Sequence, residues 1–311
     1  MRNSTIAVIG VISWFALCGA AAQAEAAQRG AAAPVQAAAP DAPTDKTAFW
    51  TSEDIQTRWK NNEARRVINS RLFNGPTNIS ANVRIVLPGD EPLIHDITAD
   101  LWIMTAGTAT AITDGQIVES SGTKSVRNGT RRTVHPGDML YVPPGVPHYF
   151  TDMNEFRALL IRFDTIRSPQ ANQGRGAAAV QPAVPDAPTD KTAFWTKDDI
   201  QARWKNNEAK RVANSRLFNG PTNISANVRI VLPGDEPLIH DITADLWIMT
   251  AGTATAITDG AILDTNGAKS VRNGTRRTVH PGDMLYVPPG VPHYFTDMNE
   301  FRALLIRFDT K

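Results

Sequence analysis

The chain has 311 residues, 42% hydrophobic and 20% charged, which excludes a wholly disordered or collagen-like polymer and gives length for about two domains. Its 32 basic and 31 acidic side chains leave a formal net charge of +1, so no bulk charge draws it to nucleic acid or to an acidic membrane. One cysteine, Cys18, is present, and it falls in a segment expected to be removed. The mature protein is therefore expected to lack disulfides, thiolate ligands and a cysteine nucleophile.

Residues 1–24 read as a secretory signal. Arg2 supplies a positive start, residues 6 to 22 form an apolar core, and Ala22-Gln23-Ala24 is a small-x-small cleavage site. The expected location is the periplasm or the exterior, with no membrane contact after cleavage. Residues 25–39 are Ala- and Pro-rich and read as disordered. From residue 40 the chain repeats itself: residues 40–165 match 185–310 at a constant offset of 145 with eleven differences and no gap. Five of these differences fall near the start of the unit and six between Gln116 and Thr123. Two domains are expected, 40–165 and 185–311, joined by an Ala/Gln/Gly-rich linker over 166–184.

Within a unit, residues 47–66 read as one amphipathic helix. Thr51 can cap it, Asp54 completes a capping box, and Trp50, Ile55 and Trp59 form an apolar stripe to lay against the rest. Short β segments follow at 82–88, 99–107, 109–113, 131–145, 147–152 and 156–164, split by Gly, Pro, Asn and Asp. Gly115 and Gly122 bracket a hairpin tip. Alternation puts Asp100, Trp102 and Met104 on one face, and His148 with Phe150 on one face. Many short strands and one helix per unit predict an all-β sandwich or small barrel.

The most specific stretch is G-D-M-L-Y-V-P-P-G-V-P-H, Gly137 to His148, repeated from Gly282 to His293. It resembles the second motif of the cupin superfamily, G-x5-P-x-G-x2-H-x3-N, with Gly137, Pro143, Gly145 and His148 at the required spacing and Asp152 in place of the final Asn. The first cupin motif, G-x5-H-x-H-x3-4-E-x6-G, is matched in part. Counting back from Gly107, Asp100 takes the place of the Glu, His95 the second His and Leu93 the first His. The resemblance implies two tandem cupin (jelly-roll, or double-stranded β-helix) barrels, each preceded by a short amphipathic helix. It is closer to small cupin_2-like conserved barrels than to bicupin enzymes such as oxalate decarboxylase or quercetinase.

Carried over residue by residue, the resemblance implies a metal site at His95, Asp100 and His148, with a second at His240, Asp245 and His293. Two histidines and one carboxylate leave coordination positions open, and Fe, Zn, Mn or Ni would each suit that set. Trp102, Met104 and Phe150, with Trp247, Met249 and Phe295, are expected to line the pocket. The opposing reading has the histidines hydrogen-bonding one another beside Asp100. A buried carboxylate needs a positive partner, so a metal or a protonated histidine is expected next to it. His135 reads as a half-exposed strand-end residue, and Lys124, Arg127, Arg131 and Arg132 as a solvated basic hairpin. The functional expectation is an exported bicupin that uses a divalent metal in a lyase, isomerase or dioxygenase-like reaction on a small molecule. The alternative is a non-catalytic small-molecule binding or sensing cupin, with or without metal. The two barrels are expected to pack as an intramolecular pseudo-dimer.

Overall fold

A computed structural model of the chain describes residues 41–165, 187–220 and 223–310. The expected signal, the Ala/Pro-rich segment and the linker lie outside the described residues. The first repeat contains β1 (Ala48–Trp50), α1 (Ser52–Arg65), β2 (Asn69–Asn74), β3 (Ser80–Ile85), β4 (Thr98–Thr113), β5 (Gln116–Ser120), β6 (Thr123–Arg127), β7 (Thr130–Val134), β8 (Met139–Val142) and β9 (His148–Asp164). The second repeats this order as β10 (Ala193–Trp195), α2 (Lys197–Lys210), β11 (Asn214–Asn219), β12 (Ser225–Ile230), β13 (Thr243–Thr258), β14 (Ala261–Thr265), β15 (Ala268–Arg272), β16 (Thr275–Val279), β17 (Met284–Val287) and β18 (His293–Asp309).

Each half is a jelly-roll barrel built on two long antiparallel strands, β4 with β9 and β13 with β18. Segments 99–107 and 109–113, which the sequence pattern splits, are one strand. Its pairing with β9 shifts register between Met104 and Thr110, and such bulges bend a strand without ending it. Gly107 sits in this bend at φ +63°, where a side chain would collide with the carbonyls of Asn154 and Glu155. The bend lets β4 pair with β8 over Asp100–Ile103 and with β7 over Ala109–Thr113. β5 and β6 form a separate hairpin that turns at Ser121 and Gly122, both with positive φ. Gly115 therefore marks its base.

The helix is shorter than residues 47–66. Thr51 is extended at φ −70°, ψ 158°, and its hydroxyl accepts from the Asp54 amide while the Asp54 carboxylate accepts from the Thr51 amide. That reciprocal cap starts α1 at Ser52. Ile55 and Trp59 are buried, and Asn62 and Trp59 donate to the Val83 and Arg84 carbonyls of β3. Residues 48–50 instead form β1, which leaves its own half. It adds to the sheet of the other, pairing with β17 over Ala48↔Tyr286 to Trp50↔Met284. β10 makes the reciprocal pairing with β8.

Two aspartates fasten each exchanged arm. Asp259 accepts from the Thr47 amide and hydroxyl at 2.9 and 3.0 Å. Asp283, the aspartate of the second Pro-Gly-Asp turn, accepts from the amide of Ser52, the first residue of α1, at 2.7 Å. A carboxylate there satisfies a free helix N–H and faces the positive end of the helix dipole. Asp114 and Asp138 hold Thr192 and Lys197 in the same way. Arg132 joins this clamp, donating to Thr113 and Thr192 and lying over the Phe194 ring; it does not belong to a solvated hairpin.

Alternation along the strands divides the interior in two. Leu101, Ile103, Tyr141, Ile161 and their counterparts form one core shared by both halves. Phe73 of one half meets Tyr286 of the other at 4.9 Å between ring centroids, and Tyr141 meets Phe218 at 5.0 Å. On the opposite face Trp102, Met104, Phe150, Phe156 and Leu160 form a core private to the first half, and their equivalents one private to the second. Phe194 and Phe49, the middle residues of the arms, pack against the private core of the half that receives them.

Candidate metal centre

The site lies on the private side of each barrel. Asp100, on β4 between Val142 of β8 and Arg162 of β9, is wholly buried. His148 opens β9, where its backbone exchanges two hydrogen bonds with Leu93. His95 lies in the segment between β3 and β4, its carbonyl accepting from the Gly145 amide at 2.8 Å. The Pro-Pro-Gly turn of one motif thus fixes the histidine of the other.

These elements bring the three ligand atoms together. His95 Nε2 and His148 Nε2 each lie 3.3 Å from Asp100 Oδ2, and all three atoms lie within 4.8 Å of one another. His240, Asp245 and His293 repeat the cluster at 3.4 and 3.3 Å. Ligands bound at about 2.1 Å to one ion stand about 3.0–3.4 Å apart for octahedral or tetrahedral angles, so the spacing suits a divalent metal. The ring of His148 is oriented for it as well. Its Nδ1 lies 3.1 Å from the Val146 carbonyl, which only accepts, so Nδ1 carries a proton, and in the neutral ring Nε2 presents its lone pair. That Nε2 is buried and makes no hydrogen bond. An unpartnered buried imidazole nitrogen facing a carboxylate is a place for a cation.

A residue absent from the sequence reading completes the site. Arg162 forks onto Asp100, Nε to Oδ1 at 2.7 Å and Nη2 to Oδ2 at 2.8 Å, and Nη2 also lies 3.0 Å from His95 Nε2. Arg307 does the same to Asp245 and His240. Burial pushes the Asp100 carboxyl up, but the two hydrogen bonds and the charge of the Arg162 guanidinium outweigh it and hold the group well below the usual carboxylate range. In the structure an arginine is a positive partner of the buried carboxylate, one that the sequence reading did not name. Its signal was an arginine standing between Ile161 and Phe163 in an otherwise apolar run.

The remaining expected residues divide. Trp102 and Phe150 line a small cavity with His148, Arg162, Arg84 and Leu93, while Met104 is packed in the private core. The cavity holds about 20 Å³, room for one water, and reaches the surface at exposed Glu91. Leu93, at the first-histidine position, supplies an apolar wall in place of a ligand. Arg84 lies over the Trp102 ring at 5.8 Å, and Arg84 Nε and Trp102 Nε1 are buried donors without acceptors. Arg229 Nε and Trp247 Nε1 repeat this in the second half. His135 stands in the Pro-Gly-Asp turn, its amide donating to Asp138, away from the ligand set.

No protein-family model and no curated protein matches the sequence. Among solved structures the chain is similar to a cupin 2 conserved barrel domain protein from Leptotrichia buccalis, at 11% identity and TM-score 0.46, over 88% of this chain and 100% of that one. It is also similar to Streptomyces albus HEPD with 2-hydroxyethylphosphonate and Fe(II) bound, at 11% identity and TM-score 0.43, over 85% and 76% of the two chains. A third is a Bacillus subtilis oxalate decarboxylase with Mn(II) centres, at 16% identity and TM-score 0.37, over 86% and 74%. The strand order of each half, with the Gly137–His148 turn seated against the His95 segment, makes this chain a tandem of two cupin-type barrels.

Proposed function

We propose that the protein is exported and that each barrel holds one divalent metal ion, on His95, Asp100 and His148 and on His240, Asp245 and His293, to bind and activate a small oxygen-bearing molecule. The observation that carries this is the unpartnered Nε2 of His148, 3.3 Å from Asp100 Oδ2, repeated at His293. A metal so held supplies Lewis acidity to a carbonyl, enolate or water oxygen. The chain's own groups do the rest. Asp100 stays ionised across the physiological range. Trp102, Phe150 and Leu93 give the cavity apolar walls. Arg84 Nε and Trp102 Nε1, which have no acceptor, orient an oxygen of the ligand. A lyase, isomerase or oxygenase reaction fits such a centre. Binding without turnover is the second reading, favoured by Arg162, which already neutralises Asp100 without a metal.

Metal analysis of protein purified without chelator tests the proposal. Two equivalents of metal per chain are expected, falling to near zero when His148→Ala and His293→Ala are combined. A chelator-stripped protein whose melting temperature ignores added Mn(II), Zn(II) and Co(II) would overturn it. Export is tested by intact-mass measurement of the secreted or periplasmic chain, expected to begin at Glu25.

A further inference from the structure

We infer that Arg162 and Arg307 are resident cations that a metal must displace, so that each barrel is latched against metal until its guanidinium lets go. The inference rests on the metal reading above and concerns what controls that site.

The argument is one of lone pairs. An imidazole nitrogen has a single lone pair, and an arginine N–H can only donate. With Arg162 Nη2 at 3.0 Å from His95 Nε2, that lone pair is spent on the guanidinium and cannot also bind a metal. The same Nη2 holds Asp100 Oδ2 at 2.8 Å. One N–H-bearing nitrogen therefore engages two of the three ligand atoms, while His148 Nε2 stays open. The arrangement recurs at Arg307, with Nη2 at 3.0 Å from His240 Nε2 and 2.8 Å from Asp245 Oδ2.

The latch has a way to open. The side chains of Arg162 and Arg307 are 33% and 34% exposed, whereas Asp100 and Asp245 are 0% exposed. Only the Nη2 contacts compete with a metal. The Nε–Oδ1 bond, at 2.7 Å in both barrels, can persist as a pivot, leaving Asp100 paired through one oxygen and free to ligate through the other. A released Nη2 then offers an N–H beside the metal's open positions, and an anionic oxygen ligand would favour the open state by taking it.

Cobalt(II) titration of the metal-free full chain, followed by visible absorption and calorimetry, tests this. Changing Arg162→Gln together with Arg307→Gln is expected to tighten Co(II) binding at least tenfold, and Arg162→Gln alone to give one tight and one ordinary site. Arg131→Gln, the same charge change at an exposed arginine, is expected to leave affinity unchanged. Equal or weaker binding in the double variant, with two sites intact in the wild type, would overturn the latch and leave the metal reading standing. No Co(II) bound by either protein sinks both. Should the Gln variants fail to fold without metal, Arg162→Lys with Arg307→Lys decides. A Co(II)-induced rise in melting temperature larger than the wild type's supports the latch, and an equal or smaller one refutes it.

Discussion

The shared core and the private cores are made by the same strands. Along β4, Leu101 and Ile103 face the partner half, while Asp100, Trp102 and Met104 face the barrel's own interior. One side is mainly apolar and aromatic and joins the halves. The other holds a buried carboxylate, two histidines, two arginines and unpartnered donors. A strand with period two can thus carry assembly on one face and chemistry on the other, and a substitution belongs to one or the other according to the parity of its position.

The largest effect should come from the shared side. Phe73→Ala removes a ring that is 1% exposed and that bridges Trp50 and Tyr286. A loss of about 3–5 kcal/mol is expected for such a truncation. The decisive observation is cooperativity. Denaturant unfolding should remain a single transition, because the contact belongs to both halves; two separate transitions would show the halves to be energetically independent.

The private side should answer to pH. Asp100 and Asp245 titrate lower folded than unfolded, so below the ordinary value of 3.8 the unfolded chain binds more protons than the folded one. Their contribution is full above that value and is lost as pH falls toward the depressed folded value, at about 1.4 kcal/mol per unit of depression. Urea midpoints between pH 7 and pH 2 should hold down to about pH 4 and then fall. In Asp100→Asn combined with Asp245→Asn the fall should be shallower and the pH 7 stability lower by about 3 kcal/mol, for breaking buried pairs whose arginines keep some solvent. An unchanged acid slope in that variant would place the acid sensitivity elsewhere.

The smallest effect lies where the arm meets its helix. Thr51→Ala removes the cap of α1 and should cost about 1 kcal/mol, as should Thr196→Ala in the other half. Unequal losses would point to Ser52 and Lys197, which differ between the copies at the adjoining position.

Barrel class and the cluster of His95, Asp100 and His148 were legible because both rest on local spacing: apolar alternation, the Gly137–His148 turns and the interval from Asp100 to Gly107. What local spacing cannot show is a partner distant in sequence. The arm at residues 48–50 reads as helix because Trp50 extends the apolar stripe of Ile55 and Trp59, yet its pairing strand is β17, more than two hundred residues away. Segments 147–152 and 156–164 read as two strands because Met153–Glu155 interrupts the alternation, and positive φ at Asp152 and Glu155 shows why: the strand bends there and continues. Arg162 stands out in the sequence only as a charge within an apolar run, and it is register that sets it against Asp100.

The exchanged arms bear on how the two copies can evolve. Phe49 packs in the private core of the second half, and Phe194 in that of the first, so each copy encodes part of the other's interior. Deleting one repeat would not leave a spare. It would leave a barrel with an open sheet edge and without the phenylalanine that packs on its private core. Neither copy is complete alone, because each arm pairs with and packs on the opposite half. Such mutual dependence favours keeping the copies alike, and the eleven differences fall in or just after the helix and in the hairpin, with none at the two His-Asp-His clusters.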